Sequence, residues 1–299
     1  ASAEKYRATP EQFLRSILFG YDLCNRLGLM ATEKIRELGL YGPGLIAAPC
    51  AAAVSGMLAG LEPETLENAF SIAASMAPVC PFSAFTDGAD SKLLYTGWGV
   101  YLGMLAVDMA KLGLTGPQHL LRGDKSLQSI FASARGQEIP PEDGRFAKAV
   151  TFKAYAACLS VHPTLTALSQ IMEKNHLQPE KIASVEIGTF PYACSLDALS
   201  ASVNKVSART SIRYTAAAMI CRGSLDPEAF SSAAICDRKV LDLMQKIKVG
   251  CVEAYGSGPF GTRGSRVKIT LRDGAVLSGE CSAVRWNADA PPTDGELVQ

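Results

Sequence analysis

The sequence predicts a mainly α-helical protein with an α+β second domain. Apolar residues recur at helical spacing through the first half of the chain. A strand-like alternation appears at residues 182–190, and a hairpin pattern follows at residues 266–278. We therefore predict a helical domain over residues 1–146, to which residues 285–299 return, and an α+β domain over residues 147–284.

Helix signals in the first half are clearest where helices begin. Thr9 followed by Pro10 is typical of an N-cap with a proline at the first helical position. The apolar residues behind this cap that recur at helical spacing are Phe13, Ile17, Leu18 and Tyr21. Further helices are predicted over residues 51–61, 63–76 and 92–112.

The helix predicted at residues 92–112 is apolar nearly all round, which is typical of a helix inside a core. Gly97, Gly99 and Gly103 lower its helix propensity and favour instead a close approach by a neighbouring helix. Gly113 is the predicted stop.

The second half mixes helix and strand signals. Residues 211–222 predict a helix that ends at Gly223, and Asp273-Gly274 predicts the tight turn of the hairpin. Thr293 and Glu296 have capping-box spacing, which predicts the start of a helix just before the last residue of the sequence. We expect the parent protein to continue beyond this point, and a short frayed tail is the alternative.

Composition argues against several classes of function. The 29 basic residues balance 29 acidic ones and form no basic tract, so nucleic acid is not an expected partner. The first residues lack the pattern of a signal peptide, and the Ala-rich stretch at residues 45–60 favours a buried helix over a membrane span. Nine scattered cysteines and three histidines show no metal-ligand spacing. We expect a soluble, cytoplasmic protein with reduced cysteines and no metal.

Residues 256–261 match the letters of the dinucleotide-binding pattern G-x-G-x-x-G. That pattern requires a helix after it, because the helix amides hold the pyrophosphate. A strand follows here, and Pro259 removes one amide. We interpret the segment as a loop between strands.

Lys92 lies in the first turn of the long apolar helix, behind a cap at Asp90 or Ser91. A cation at this end opposes the helix dipole unless an anion binds there, in which case lysine and free amides attract the same charge. The alternative is a solvent-facing lysine whose charge Asp87 and Asp90 offset.

Three further residues are candidates for a functional site, and each of them also has a purely structural interpretation. Lys153 lies in an apolar and aromatic stretch. It is either a lysine on an edge strand or a residue of a functional site. Tyr214 early in an Ala-rich helix is either a core residue with a bonded hydroxyl or a proton donor. His162 before Pro163 either begins a helix or takes part in catalysis. The sequence contains no serine-nucleophile elbow, so the set suits an anionic substrate and proton transfer.

The chain resembles the MmgE/PrpD family, which includes 2-methylcitrate dehydratase, cis-aconitate decarboxylase and iminodisuccinate epimerase. The segments that carry the resemblance are residues 20–26, 39–60, 91–116, 153–162, 207–214 and 290–297. The resemblance implies a large helical domain, a smaller α+β lid domain and a cleft for a small polycarboxylate. It also implies a homodimer that needs no cofactor.

The resemblance also implies roles for individual residues. Lys92 would hold a substrate carboxylate, Lys153 would stabilise developing negative charge, and Tyr214 would donate or relay a proton, with His162 as a fourth catalytic residue. Predicted substrate contacts are Tyr41, Ser91 and Cys158. Tyr41 and Cys158 stand where the family has histidines, and Ala154 stands where the decarboxylases have arginine. The resemblance does not extend to the family's N-terminal segment, with its acidic and histidine active-site residues, or to its closing helices. We therefore expect a fragment, or a protein whose ends are not represented here.

The leading hypothesis is a cofactor-independent lyase, a dehydratase or decarboxylase of a small di- or tricarboxylic acid similar to 2-methylcitrate dehydratase. An epimerase or isomerase of a related dicarboxylate shares the abstraction of the α-proton without the elimination. A non-catalytic homologue that binds a carboxylate is the third hypothesis, and Tyr41 keeps it open.

Overall fold

The structure is a computed structural model, and it describes residues 1–131, 145–148, 150–198, 204–256 and 263–298. Structural statements below refer to these residues. The α-helices are α1 Ser2–Lys5, α2 Pro10–Glu37, α3 Gly42–Leu58, α4 Pro63–Ser75, α5 Ser83–Thr86, α6 Ser91–Lys111, α7 Leu127–Phe131, α8 Arg145–Lys148, α9 His162–Lys174, α10 Pro191–Ala198, α11 Ile212–Arg222, α12 Ser232–Ile235, α13 Arg238–Met244 and α14 Asp294–Val298. The strands are β1 Ile182–Thr189, β2 Ile247–Cys251, β3 Ser265–Leu271 and β4 Val276–Cys281.

The chain divides into two compact units, residues 1–85 with 89–150, and residues 86–88 with 151–299. The described part of the first unit is helical and the second is α+β, which confirms the predicted fold class. The predicted domain boundary falls four residues before the observed one. Residues 285–299, in contrast, group with the second unit and not with the helical one. One reason is local, since Trp286 accepts a backbone hydrogen bond from Phe152.

The helical unit is built around α3, which packs against α2, α4 and α6. The predicted cap of α2 is present, because Thr9 Oγ1 accepts from Gln12 N at 3.2 Å and Gln12 Oε1 accepts from Thr9 N at 2.8 Å. The buried apolar residues of α2 lie in its second half, at Leu27, Met30, Ala31 and Ile35. Those predicted at its start, Phe13, Ile17, Leu18 and Tyr21, are exposed.

One face of α6 is buried and the other is not, which corrects the prediction of a helix enclosed in a core. Leu102, Ala106 and Val107 belong to a cluster with residues of α3 and α4. The side chains on the opposite face that are more than half exposed are Leu93, Leu94, Trp98 and Tyr101. Helix α6 is long and apolar enough to cross a membrane. This is weak evidence for a membrane span, because core helices of soluble proteins can have the same length and composition.

Close contact between α3 and α6 depends on two glycines of α6. A Cβ on Gly103 would lie 2.5 Å from Ala48 O, and one on Gly99 would lie 3.0 Å from Gly44 O. Both distances are far below van der Waals contact, so only glycine fits at these positions. Gly97 differs, since a Cβ there meets nothing within 4 Å. The predicted role of close approach is therefore confirmed for Gly99 and Gly103 and is wrong for Gly97.

The second unit holds a four-stranded mixed sheet in the order β2-β1-β3-β4. β1 pairs in parallel with β2 and antiparallel with β3, and β3 pairs antiparallel with β4. The predicted hairpin is present, with Gly274 at a φ of 89° in its turn. Helix α9 packs on the sheet and places its start, His162, in the core of this unit. The loops predicted at residues 136–145 and 256–261 lie largely outside the described residues.

Candidate functional site

Lys92 and Tyr41 come together in the helical unit. The Lys92 ammonium lies 5.7 Å from the centroid of the Tyr41 ring and 5.2 Å from that of Phe85. The two rings stack with centroids 5.6 Å apart. These distances are those of cation–π contacts. Lys92 lies in the first turn of α6, where a bound anion would also meet the positive end of the helix dipole.

Two short chain segments bring these rings to the start of α6. Tyr41 is the N-cap of α3, and its amide donates to Cys80 O at 2.7 Å. Phe82 N in turn donates to Gly39 O at 2.8 Å. The pairing fixes Tyr41 opposite the segment that leads to Phe85.

Ser91, the third predicted residue of this unit, is exposed at the first position of α6. It borders an open groove of about 560 Å³ whose other lining residues are Pro78, Leu93, Leu94, Tyr95, Gly97, Trp98 and Tyr101. The lining is almost wholly apolar. The groove therefore does not have the chemistry of a carboxylate site, and Ser91 and Lys92 are neighbours in sequence with different surroundings.

Lys153 and His162 come together in the second unit. Lys153 is exposed in an irregular segment that precedes α9, so the edge-strand interpretation is wrong. His162 is the first residue of α9, as predicted, and its side chain is fully buried. Its ring meets the Tyr155 ring edge-on with centroids 5.2 Å apart. Cys158 lies between them in sequence, half-buried, with its Sγ 3.7 Å from Ser160 Oγ.

The pKa of His162 is lowered to about 4, first by burial and also by the positive charges of Lys153 and Arg263. The backbone carbonyls of Ala157 and Tyr155 partly offset this effect on the pKa. Neither ring nitrogen has a hydrogen bond of good geometry with a described residue. At neutral pH the imidazole is therefore uncharged and offers one donor and one acceptor.

Unpartnered buried polar atoms concentrate around the start of α9. Within the described part of the chain, four of the five such atoms are Tyr155 Oη, His162 Nδ1, His162 Nε2 and Thr166 Oγ1. Buried polar groups are normally hydrogen-bonded, and leaving one unpaired costs about 1–3 kcal/mol. A set of such atoms beside two cations is typical of a place that receives a polar, anionic ligand or ordered water.

Sequence reasoning missed two members of this cluster, Tyr155 and Arg263. Tyr155 is two residues after Lys153, in the same apolar stretch. Arg263 follows a glycine-rich segment just before β3, and its sequence context alone carries no clear signal of a site. Its proximity to His162 arises from the fold, because the two residues are distant in sequence.

Tyr214 lies in the core of the second unit. Its side chain is fully buried, and its hydroxyl donates to Ala229 O at 2.6 Å. Burial raises the pKa of the Tyr214 hydroxyl. Ser211 caps this helix by accepting from Tyr214 N at 3.1 Å. This geometry is that of the core alternative and not of a proton donor to a substrate.

We expect Tyr214→Phe to lower the free energy of unfolding by roughly 1–2 kcal/mol, because the buried Ala229 carbonyl loses its donor. Turnover per folded molecule should be unchanged. Tyr21→Phe, at an exposed tyrosine, is the control and should change neither quantity. Denaturant titration and an activity assay measure both, and a large loss of turnover at unchanged stability would restore the proton-donor role.

We expect a stability change with pH that arises from His162. The unfolded side chain takes up its proton near pH 6.5 and the folded one only near pH 4. Between these values the unfolded state binds more protons, so the free energy of unfolding falls as the pH is lowered through this window. The loss amounts to up to about 3 kcal/mol. His162→Gln should flatten the slope of unfolding free energy against pH, and equal slopes in both proteins would contradict this.

No group of three or more His, Cys, Asp or Glu side chains with metal-binding geometry occurs among the described residues. The candidate residues form two groups, one in each unit: Lys92 with Tyr41 in the helical unit, and Lys153, Arg263, Tyr155 and His162 in the second unit.

Comparison with known proteins extends over nearly the whole chain. The family model of the MmgE/PrpD N-terminal domain matches residues 1–139, and that of the MmgE/PrpD C-terminal domain matches residues 155–299. Cis-aconitate decarboxylase from Mus musculus is 25% identical over 256 residues. The match covers 79% of this chain and 49% of that relative, so the chain spans about half the length of the curated relative.

Proposed function

The chain belongs to the MmgE/PrpD family, and from this premise we propose that it is a lyase acting on a small di- or tricarboxylic acid without a cofactor. The similarity to a decarboxylase supports a lyase over other classes of enzyme. Dehydration, as in 2-methylcitrate dehydratase, and decarboxylation are both within this proposal.

The observation that carries the proposal is the cluster at the start of α9. Two cations, Lys153 and Arg263, act electrostatically on a buried histidine whose ring nitrogens have no partner among the described residues. A carboxylate suits this set, because the cations attract its charge and its oxygens accept from one imidazole N–H and from the phenol O–H. An apolar ligand would leave the imidazole and the phenol without a hydrogen bond.

In the proposed reaction Lys153 stabilises the negative charge that develops on a carboxylate when the α-proton leaves or carbon dioxide departs. The planar guanidinium group of Arg263 can donate two parallel hydrogen bonds, which suits the two oxygens of a second carboxylate. His162, with a pKa of about 4, is too weak a base to abstract an α-proton at neutral pH. We assign it to positioning the carboxylate through hydrogen bonds.

Lys92 provides the carboxylate contact of the helical unit in this proposal. Its cation–π contacts with Tyr41 and Phe85 hold the ammonium in place. Tyr41 then acts by orienting Lys92.

The contact between Lys92 and the Tyr41 ring favours a second candidate function, that of a protein which binds a carboxylate without turning it over. Tyr41 occupies a position where the family carries histidine, and in the structure its ring supports Lys92. Tyrosine is a weaker base than histidine at neutral pH, so this substitution retains binding more readily than proton transfer.

The experiment that separates these functions uses the chain, citrate-like, aconitate-like and aspartate-derived acids, and proton NMR in D2O. The lyase produces a new alkene from a citrate-like acid or a decarboxylated product from an aconitate-like acid. Exchange or inversion at the α-carbon without either product would overturn the lyase in favour of an epimerase. No chemical change, together with a higher melting temperature in the presence of an acid, would favour the binding protein.

The homodimer implied by the family resemblance is a separate prediction. Light scattering coupled to size-exclusion chromatography should give twice the mass of one chain, and a mass of one chain at all concentrations would contradict it.

A further inference from the structure

Helices α2 and α3 bring two thiols close to each other. Cys24 and Cys50 are near enough for each to shift the pKa of the other. All nine cysteines are free thiols, and no disulfide constrains this pair.

Helix packing gives an independent reason for this proximity. Residues 38–41 join α2 to α3, and a connection this short makes the two helices antiparallel neighbours. Gly20 of α2 faces Val54 of α3, since a Cβ on Gly20 would lie 3.1 Å from Val54 Cγ2. Cys24 lies about one turn after Gly20, and Cys50 about one turn before Val54. The antiparallel register therefore places the two cysteines opposite each other where a glycine lets the helices approach closely.

The two thiols have different surroundings. Cys24 is exposed, whereas Cys50 is buried in the cluster that contains Leu27, Met30 and Phe70. The neighbouring Cys50 lowers the pKa of Cys24 to about 7. The pKa of Cys50 is raised, first by the neighbouring Cys24 and then by burial. An exposed cysteine whose pKa is lowered thus stands near a buried cysteine whose pKa is raised, the pairing of an attacking and a resolving cysteine.

We propose that Cys24 and Cys50 form a site of reversible oxidation by hydroperoxides, which ends in a disulfide between α2 and α3. The Cys24 thiolate attacks the O–O bond and becomes a sulfenic acid, and the hydroperoxide leaves as an alcohol, or as water when the oxidant is hydrogen peroxide. Cys50 then attacks the sulfenic sulfur, so that the S–S bond forms and the S–O bond breaks. The departing hydroxide takes the Cys50 proton and leaves as water, and two thiols have lost two electrons in total.

The chain contains a second close thiol pair that serves as an internal comparison. Cys194 on α10 lies near Cys251 at the end of β2. Burial first, and then the neighbouring Cys251, raise the pKa of Cys194 to about 12. The proposal is specific to the first pair, because proximity alone would make both pairs react.

The experiment treats the reduced chain at pH 7 with one equivalent of hydrogen peroxide, blocks remaining thiols with N-ethylmaleimide and maps peptides by mass spectrometry. We expect a Cys24–Cys50 linked peptide about 2 Da lighter than its two reduced halves. The free thiols should fall by two from nine, dithiothreitol should reverse both changes, and the oxidised chain should melt at a higher temperature.

Matched variants test the two roles separately. Cys24→Ser, at an exposed position, should abolish the linkage and the rise in melting temperature. Cys50→Ser should leave a sulfenic acid on Cys24 that dimedone traps, and Cys236→Ser, at another exposed thiol, should leave the linkage intact. A persistent sulfenic acid on Cys24 of the unaltered chain would overturn the proposal, and so would exclusive linkage of Cys194 to Cys251. Both of those outcomes are read from the unaltered chain, so poor folding of the Cys50 variant would not obscure them.

Discussion

Replacing Gly103 by valine is expected to lower the free energy of unfolding of the helical unit by about 4 kcal/mol or more. The new Cβ would stand 2.5 Å from Ala48 O and 2.7 Å from Ala52 N, and both are backbone atoms of α3 that no rotamer change can move. Relief requires α3 and α6 to separate, which opens the packing around Ala52, Leu102 and Ala106. Far-UV circular dichroism during thermal and denaturant unfolding measures the effect.

Gly97→Ala, on the same helix, is the matched control. A Cβ there meets nothing within 4 Å, so the substitution only improves helix propensity. We expect it to raise the free energy of unfolding by about 0.5–1 kcal/mol. If the free energy of unfolding falls in Gly103→Val and rises in Gly97→Ala, contact with α3 is the cause of the loss at Gly103. An unchanged melting temperature in Gly103→Val would contradict the close packing.

Replacing Lys153 by methionine is expected to lower turnover by about 100-fold to 1000-fold, because the developing carboxylate charge loses its electrostatic partner. The side chain is exposed, so stability should change little. Lys153→Arg, which keeps the charge, should retain part of the activity. Lys239→Met, at an exposed lysine of α13, is the control and should behave as the unaltered chain.

A second readout of Lys153→Met is independent of turnover. The charge of Lys153 lowers the pKa of His162, so its removal should move that pKa upward. Three histidines in the chain make the resonance assignable by NMR titration. Full turnover in both Lys153→Met and Lys92→Met would contradict the proposed roles of these residues. An unmoved His162 pKa would show instead that the two side chains are not electrostatically close.

Helix boundaries could be predicted where local chemistry sets them. α4 and α6 each begin within one residue of prediction, and α11 ends at Gly223, whose φ is 80°. α3 begins nine residues before its predicted start. Pro49 resembles a helix breaker in sequence, whereas in the structure it lies inside the helix and is buried against its neighbours.

Strand β2 and the arrangement of the site depend on distant partners, which a local pattern does not contain. β2 has five residues and little alternation, and it exists because it pairs with β1. Lys92 and Lys153 stand out in their sequence contexts, and their roles stay predictions. The aromatic support of Lys92, the effect of Arg263 on His162 and the bonded hydroxyl of Tyr214 follow from tertiary contacts.

The position of β1 in its sheet has a consequence for the order in which the chain folds. Both strands that pair with β1 come later in sequence, since β2 starts at residue 247 and β3 at residue 265. At about 5–20 residues per second, a ribosome needs several seconds to produce these partners after β1 is complete. The apolar side chains of Ile182, Val185 and Ile187 stay without their sheet during that interval. We expect the nascent second unit to depend on chaperones more than the helical unit, whose contacts close over shorter stretches of chain.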